Sequence, residues 1–144
     1  MRYSLYFAYG SNMNERQFHE RCPCSHFLCR AALPDHRFII TSRGYGNVIW
    51  RTGSIVHGVL AALTELDERE LDQREGVLEL IYRRERLEVI TDFGYTIPAL
   101  IYIDTVISEG PPKDGYLEKI LVGARRHQLP PAYLDEIAGW AKKV

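Results

Sequence analysis

Apolar and other residues alternate from Ser4 to Tyr9, placing Leu5, Phe7 and Tyr9 on one face of a strand and Tyr6 and Ala8 on the other. Gly10 ends that run. Asn12 offers an N-cap and Glu15 follows three residues later, which predicts a short helix over Asn14 to Arg21. Arg30 to Ser42, centred on Phe38-Ile39-Ile40, reads as extended chain in which Pro34 marks a bend or an edge. After a glycine-rich loop over Ser42 to Asn47, Val48–Trp50 and Ser54–Leu63 read as two strands on either side of Gly53, with Gly58 as a bulge.

The period then changes. Thr64-Glu65-Leu66-Asp67 resembles a capping box and opens a helix that runs to Arg74, with Gly76 placed to end it in a left-handed conformation. Tyr82–Thr91 and Tyr95–Val106 read as a hairpin turning near Asp92-Phe93-Gly94, with Pro98 confined to an edge or a bulge. A polar loop over Glu109 to Gly115 leads into a helix over Tyr116 to His127. Pro130-Pro131 starts a last helix with Tyr133, Ile137 and Trp140 on one face. About six strands with helices inserted unevenly predict an α+β domain whose antiparallel or mixed sheet curls toward a barrel. Regular βαβ alternation is absent, which excludes a doubly wound sheet, and periodicity alone does not decide whether the barrel closes.

Composition narrows the function classes. The chain has 144 residues with 18 Lys+Arg against 19 Asp+Glu, a net charge of −1, and predicts a single domain spanning 1–144. Near-neutral charge argues against a nucleic-acid partner. The apolar runs fall short of the ~18 residues of a membrane span, and Met1-Arg2-Tyr3-Ser4 opens no apolar signal core, so the expected location is cytoplasmic. Cys22, Cys24 and Cys29 are odd in number and form no disulfide framework. With His19 and His26 they match neither common zinc spacing, so they read as packing thiols and no metal is expected.

Two segments carry candidate chemistry. Tyr6-Phe7-Ala8-Tyr9-Gly10-Ser11-Asn12 runs from a strand through a glycine turn to a helix start, where free backbone N–H groups and the helix dipole suit a carboxylate, a phosphate or a developing oxyanion. A turn capped by polar residues accounts for the same pattern without any ligand. In Leu71-Asp72-Gln73-Arg74-Glu75-Gly76-Val77, Glu75 sits at a helix C-terminus, where the dipole repels a carboxylate. Partial burial there would raise its pKa toward the range of a general base, whereas a solvated glutamate on a charge-rich helix would do nothing. Ser11 with His57 or His127 as base, or one of the cysteines as nucleophile, gives a hydrolase reading that no nucleophile-elbow motif supports.

Taken together, the segments resemble the γ-glutamylcyclotransferase-like family. Tyr6 through Met13 is similar to its Y-F-A-Y-G-S-N-L signature, and Leu71 through Gly76 resembles L-D-x-x-E-G. Tyr116 through Gly123-Ala124 to Leu129-Pro130-Pro131-Ala132-Tyr133 is similar to its C-terminal Y-x-x-x-I-x-x-G-A-x-x-x-x-L-P-x-x-Y pattern. The resemblance implies a small mixed β-barrel flanked by short helices, with the ligand pocket at its mouth. It implies that Glu75 is the catalytic acid/base, that Tyr6, Phe7, Ala8, Tyr9, Gly10, Ser11 and Asn12 hold a γ-glutamyl group, and that Tyr116 lines the pocket. The implied reaction is a cofactor-independent ring closure of a γ-glutamyl amino acid or amine to 5-oxoproline, with no metal, nucleotide or covalent intermediate. A non-catalytic module that binds γ-glutamyl or other carboxylate metabolites is the competing reading. Met13 replaces the usual leucine, a volume-conserving exchange. The cysteine-rich stretch and Arg43 to Arg51 match no motif, which leaves the leaving-group side of the pocket unassigned, and the aromatic content leaves a homodimer open.

Overall fold

The first alternating run forms β1 (Tyr3–Ala8), with Tyr6, Phe7 and Ala8 all buried. The chain then makes a three-residue 3₁₀ turn (Ser11–Met13) and α1 (Glu15–Arg21). The N-cap of α1 is Asn14, not Asn12: its side chain accepts from the Gln17 N–H at 3.1 Å. Asn12 is instead drawn inward, where its side-chain amide is bonded on both sides by buried or half-buried groups. The computed structural model describes residues 2–78 and 81–142.

β2 (His26–Ile40) and β3 (Gly46–Thr64) form a long antiparallel pair. The two strands expected around Gly53 are therefore one 19-residue strand, in which Gly53 takes a φ of +85° and donates its N–H to the Asp35 carboxylate at 3.0 Å. The register shifts lie between Phe27 and Cys29 of β2 and around Gly53, where Pro34 pairs with Ile55 but His36 with Trp50, and not at Gly58. Gly58 keeps its place in the ladder opposite Ala31 because β1 crosses directly over it: a Cβ there would lie 2.4 Å from the Ala8 carbonyl oxygen and 2.8 Å from the Phe7 ring.

Thr64 caps α2 (Glu65–Arg74) through the Asp67 N–H at 3.2 Å. Asp67, buried, in turn accepts from the Cys24 N–H (2.9 Å) and the Ser25 hydroxyl (2.7 Å), which ties the cysteine-rich connection to this helix. β4 (Tyr82–Thr91) and β5 (Thr96–Asp104) make the expected hairpin. The strands close into a barrel in the order β1-β3-β2-β4-β5, antiparallel throughout except where β1 meets β5 in parallel at Tyr6 and Leu100. Merging of the two segments around Gly53 is what makes five strands from an expected six or so. Pro98 lies opposite Glu88 and outside the β1 contact, so its missing N–H costs the closure nothing.

α3 (Tyr116–Arg126) and α4 (Pro131–Ala138) cover one side, with Tyr133, Ile137 and Trp140 buried as one apolar face. α3 presses on the turn after β1: a Cβ at Gly123 would lie 2.4 Å from the Met13 carbonyl carbon and 2.5 Å from the Asn14 nitrogen. Only a glycine permits that approach. No helix among the described residues is long and apolar enough to cross a membrane.

Candidate active site

α2 ends in a Schellman motif that fixes Glu75. The Glu75 N–H reaches the Leu71 carbonyl (2.9 Å), Gly76 reaches Gln73 (3.1 Å) and Val77 reaches Asp72 (3.1 Å), with Gly76 at a φ of +65°. Asp72 of the same segment accepts from the Tyr102 hydroxyl and from Arg84 Nη1 (2.6 Å), so the helix end is pinned to β5 and β4. Glu75 is thereby held in the wall of a cavity of about 640 Å³ that also exposes Tyr6, Tyr9, Gly10, Ser11, Asn12 and Tyr116. Two segments more than sixty positions apart in the chain meet there.

Burial pushes the Glu75 carboxyl up to about 7, Asp104 adds to the rise, and the Arg21 guanidinium opposes it. Glu75 shares the cavity with a ring of phenols, Tyr6, Tyr9, Tyr82, Tyr102 and Tyr116. Burial raises all five above the ordinary tyrosine value, so they act as neutral hydrogen-bonding groups. Three of them are oriented by the backbone: Tyr9 donates to the Tyr102 carbonyl (2.6 Å) and Tyr82 to the Gly46 carbonyl (3.0 Å), while Tyr116 accepts from the Gly46 N–H (2.9 Å). A Cβ at Gly10 would lie 3.3 Å from the Tyr116 oxygen, which makes this glycine part of the cavity's shape.

The turn itself differs from the expected helix N-terminus. Its 3₁₀ segment spans only Ser11–Met13, too short for an appreciable dipole, and the first bond within it is Met13 N–H to the Gly10 carbonyl at 3.1 Å. The N–H groups of Gly10, Ser11 and Asn12 precede that bond and are not used by it, so the turn offers backbone donors without the dipole. Asn12 is fixed from three sides, donating to Tyr6 Oη (3.1 Å) and accepting from Gln17 Nε2 (3.0 Å) and Arg21 Nη1 (3.1 Å).

Phe7 and Ala8 are buried and do not line the cavity; the Phe7 ring lies against Gly58 instead. Ser11 Oγ accepts from Gln17 Nε2 at 2.7 Å, and neither candidate base approaches it. His57 packs on Tyr133 with ring centroids 4.9 Å apart, and His127 on Phe27 at 4.5 Å. Cys22 is buried and its thiol is pushed up to about 12 by burial and by Asp67, which disfavours a thiolate. Among the described residues no three or more His, Cys, Asp and Glu side chains gather as a metal site.

Sequence reasoning missed Gln17, Arg21, Arg43, Tyr45, Tyr82, Tyr102 and Lys113, all of which line the cavity. Each comes from an element with a structural pattern of its own, and only barrel closure turns them toward one space.

A small closed barrel with a protonatable glutamate facing a glycine turn across a tyrosine-walled cavity defines the class of protein. Residues 55–137 match the AIG2-like family. Over 143 aligned residues the chain is 31% identical to human γ-glutamylcyclotransferase, covering 92% of this chain and 76% of that protein, and the mouse protein matches to the same extent. A solved γ-glutamyl cyclotransferase structure superimposes with a TM-score of 0.88 at 29% identity, over 95% of this chain and 87% of that one. The chain belongs to the AIG2-like family, the γ-glutamylcyclotransferase-like proteins its signature segments resemble.

Proposed function

We propose that the protein is a cofactor-independent γ-glutamyl cyclotransferase with Glu75 as general acid/base. The observation that carries this reading is the Glu75 carboxyl, set in the cavity wall with its pKa pushed up to about 7, beside the Tyr9–Asn12 turn. A module that only binds anionic metabolites gains nothing from such a group.

The reaction is intramolecular, so the first requirement is conformational: the γ-glutamyl chain must curl until its α-nitrogen lies against its own γ-carbonyl carbon. The tyrosine ring and the turn supply a cavity of suitable shape for that. Glu75 takes a proton from the α-ammonium, and the freed amine attacks the γ-carbonyl carbon to form the new C–N bond. Backbone N–H groups of Gly10 and Ser11 stabilise the oxyanion, a contribution of roughly 3 kcal/mol per donor in comparable sites. Collapse breaks the original amide bond, Glu75 returns its proton to the departing nitrogen, and the second proton of the attacking nitrogen passes to the released amine, which leaves as the ammonium. The products are 5-oxoproline and a free amine or amino acid. A carboxyl that titrates near neutrality can both accept and return that proton. Arg21, bonded to Asn12 in the cavity wall, supplies positive charge for the α-carboxylate of the γ-glutamyl group.

Mass-spectrometric detection of 5-oxoproline from a panel of γ-glutamyl dipeptides and amines tests the reading, with wild type and Glu75→Gln run in parallel. The expected result is product from wild type and turnover abolished in Glu75→Gln, which still binds substrate. Undiminished turnover in that variant would remove Glu75 from the chemistry. Binding without any product from wild type would favour the binding module.

A further inference from the structure

Asp104 closes β5 with a carboxylate that the fold buries. It lies directly opposite Tyr82 in the β4–β5 pair and two residues after Tyr102, so its side chain shares a sheet face with both. Tyr82 and Tyr102 line the cavity that holds Glu75, which places the Asp104 carboxylate on the same side of the sheet. Its neighbours fix it there. Asp104 Oδ1 accepts from the Val106 N–H (2.9 Å), and the Asp104 N–H donates to Asn47 Oδ1 (2.9 Å). Asn47 Nδ2 donates to the carbonyls of Asp104 (3.1 Å) and Val106 (3.0 Å).

The counter-charge is Arg43, which lines the cavity and donates from Nη2 to Asp104 Oδ1. Its loop is fastened on both sides, by the Gly44 N–H to the Thr41 carbonyl (2.8 Å) and by the Lys113 N–H to the Gly44 carbonyl (3.0 Å). The pair is unequal, however: the Asp104 side chain is 1% exposed against 37% for the arginine. Water screens the positive partner more than the negative one. Asp104 Oδ2 is moreover buried without a hydrogen-bond partner among the described residues. A buried carboxylate oxygen left unpaired is costly, and a neutral side chain would fill the same place without that cost. The charge itself is felt in the cavity. Burial is the main cause that raises Glu75 and Tyr82; Asp104 adds to the rise of both, and Arg43 opposes it at Tyr82.

We infer that Asp104 and Arg43 are positioning residues that act on Glu75 through charge: Asp104 favours the protonated carboxyl, Arg43 offsets that influence, and their balance sets the pH range in which Glu75 takes and returns a proton. The inference rests on the reading of Glu75 as acid/base. The other charged groups in the cavity wall are Arg21 of α1, Arg74 of α2, Lys119 of α3, and Lys113 and Asp114 of the loop before α3. Those five, and the tyrosine ring, stay in place when Asp104 or Arg43 is replaced, so any change in Glu75 reports on the pair.

The test is a titration of the Glu75 carboxyl by carbon-13 NMR in protein labelled at the glutamate side-chain carboxyl, the resonance being assigned by its loss in Glu75→Gln. Asp104→Asn removes a negative charge and keeps an acceptor for Val106, so the Glu75 midpoint should fall. Arg43→Gln removes a positive charge, so the midpoint should rise. Each shift should be about half a pH unit, the size of one unit charge acting across a partly hydrated cavity. Opposite shifts support the inference, because a loss of packing alone would not change sign between the two variants. Shifts in the same direction, or none in either variant, overturn it. Should Asp104→Asn fail to fold, Asp104→Asn/Arg43→Gln takes its place and must titrate below Arg43→Gln; equal midpoints overturn the inference. The acidic limb of kcat/KM for 5-oxoproline release should follow the NMR midpoints. A limb that stays put while the midpoints move, or no 5-oxoproline from any γ-glutamyl compound, counts against the cyclotransferase reading, and the NMR midpoints still decide the action of the pair on Glu75.

Discussion

Glu75 ought to be a liability to the fold in alkaline solution, and that liability can be measured apart from catalysis. Its carboxyl is held near 7 in the folded protein against an ordinary 4.5. The folded state therefore binds more protons than the unfolded chain between those two values, and stability falls as pH rises through that window. At about 1.4 kcal/mol per pH unit the full difference is about 3 kcal/mol, reduced to about 2 kcal/mol because water reaches part of the half-buried group. Glu75→Gln removes the charge and keeps the shape. Urea denaturation should show the variant and wild type equally stable near pH 4.5, with the variant gaining about 2 kcal/mol by pH 8. For a chain of this size that corresponds to a rise in Tm of roughly 4–8 °C. A stability difference that does not change with pH would refute burial as the source of the raised pKa, and with it the physical basis for Glu75 as a base at neutral pH. The predicted sign also accords with a site group kept at the expense of stability.

Arg21→Gln should move the acidic limb of the kcat/KM–pH profile to higher pH, because Arg21 is what opposes the effect of burial on Glu75; an unmoved limb would mean the two do not communicate. Tyr6, Tyr9, Tyr82, Tyr102, Tyr116 and Asp104 also face that carboxyl and remain in place in the variant. Gly123→Ala should destabilise the fold by roughly 1–3 kcal/mol through overpacking, even against a helix-propensity gain of about 1 kcal/mol, since the new methyl meets backbone of Met13 and Asn14 that cannot yield. A urea midpoint unchanged from wild type would contradict that account.

Patterns that act through near neighbours are legible in the sequence itself. The Thr64 cap, the Gly76 stop and the Pro131 helix start all follow from bonds spanning a few residues, and all lie where the sequence puts them. Where two acceptable local solutions compete, sequence reasoning selects the wrong one. Asn12 and Asn14 are both competent caps, and the buried partners Tyr6, Gln17 and Arg21 draw Asn12 away from the helix and leave the cap to Asn14. Gly58 looks like a bulge by composition, yet its reason for being glycine is the Ala8 carbonyl fifty positions earlier in the chain. Gly53 does interrupt the pairing with β2, which steps from Ile55 to Trp50, yet the strand runs on through it and the two segments become one.

The candidate site divides along the same line. Sequence alone determined that Glu75 occupies a helix end where a carboxylate is locally unfavourable, and that Gly10 follows a strand where backbone N–H groups go unused, because dipole and turn geometry are properties of a few consecutive residues. Tertiary structure decided that these two places share one cavity, since only the parallel meeting of β1 with β5 closes the barrel around it. It also decided the protonation of Glu75, a matter of how much water the surrounding tyrosines exclude, and the bearing of Arg43, fixed by an aspartate sixty-one positions away. Desolvation and long-range ion pairing depend on distances in space, which periodicity along a chain does not encode.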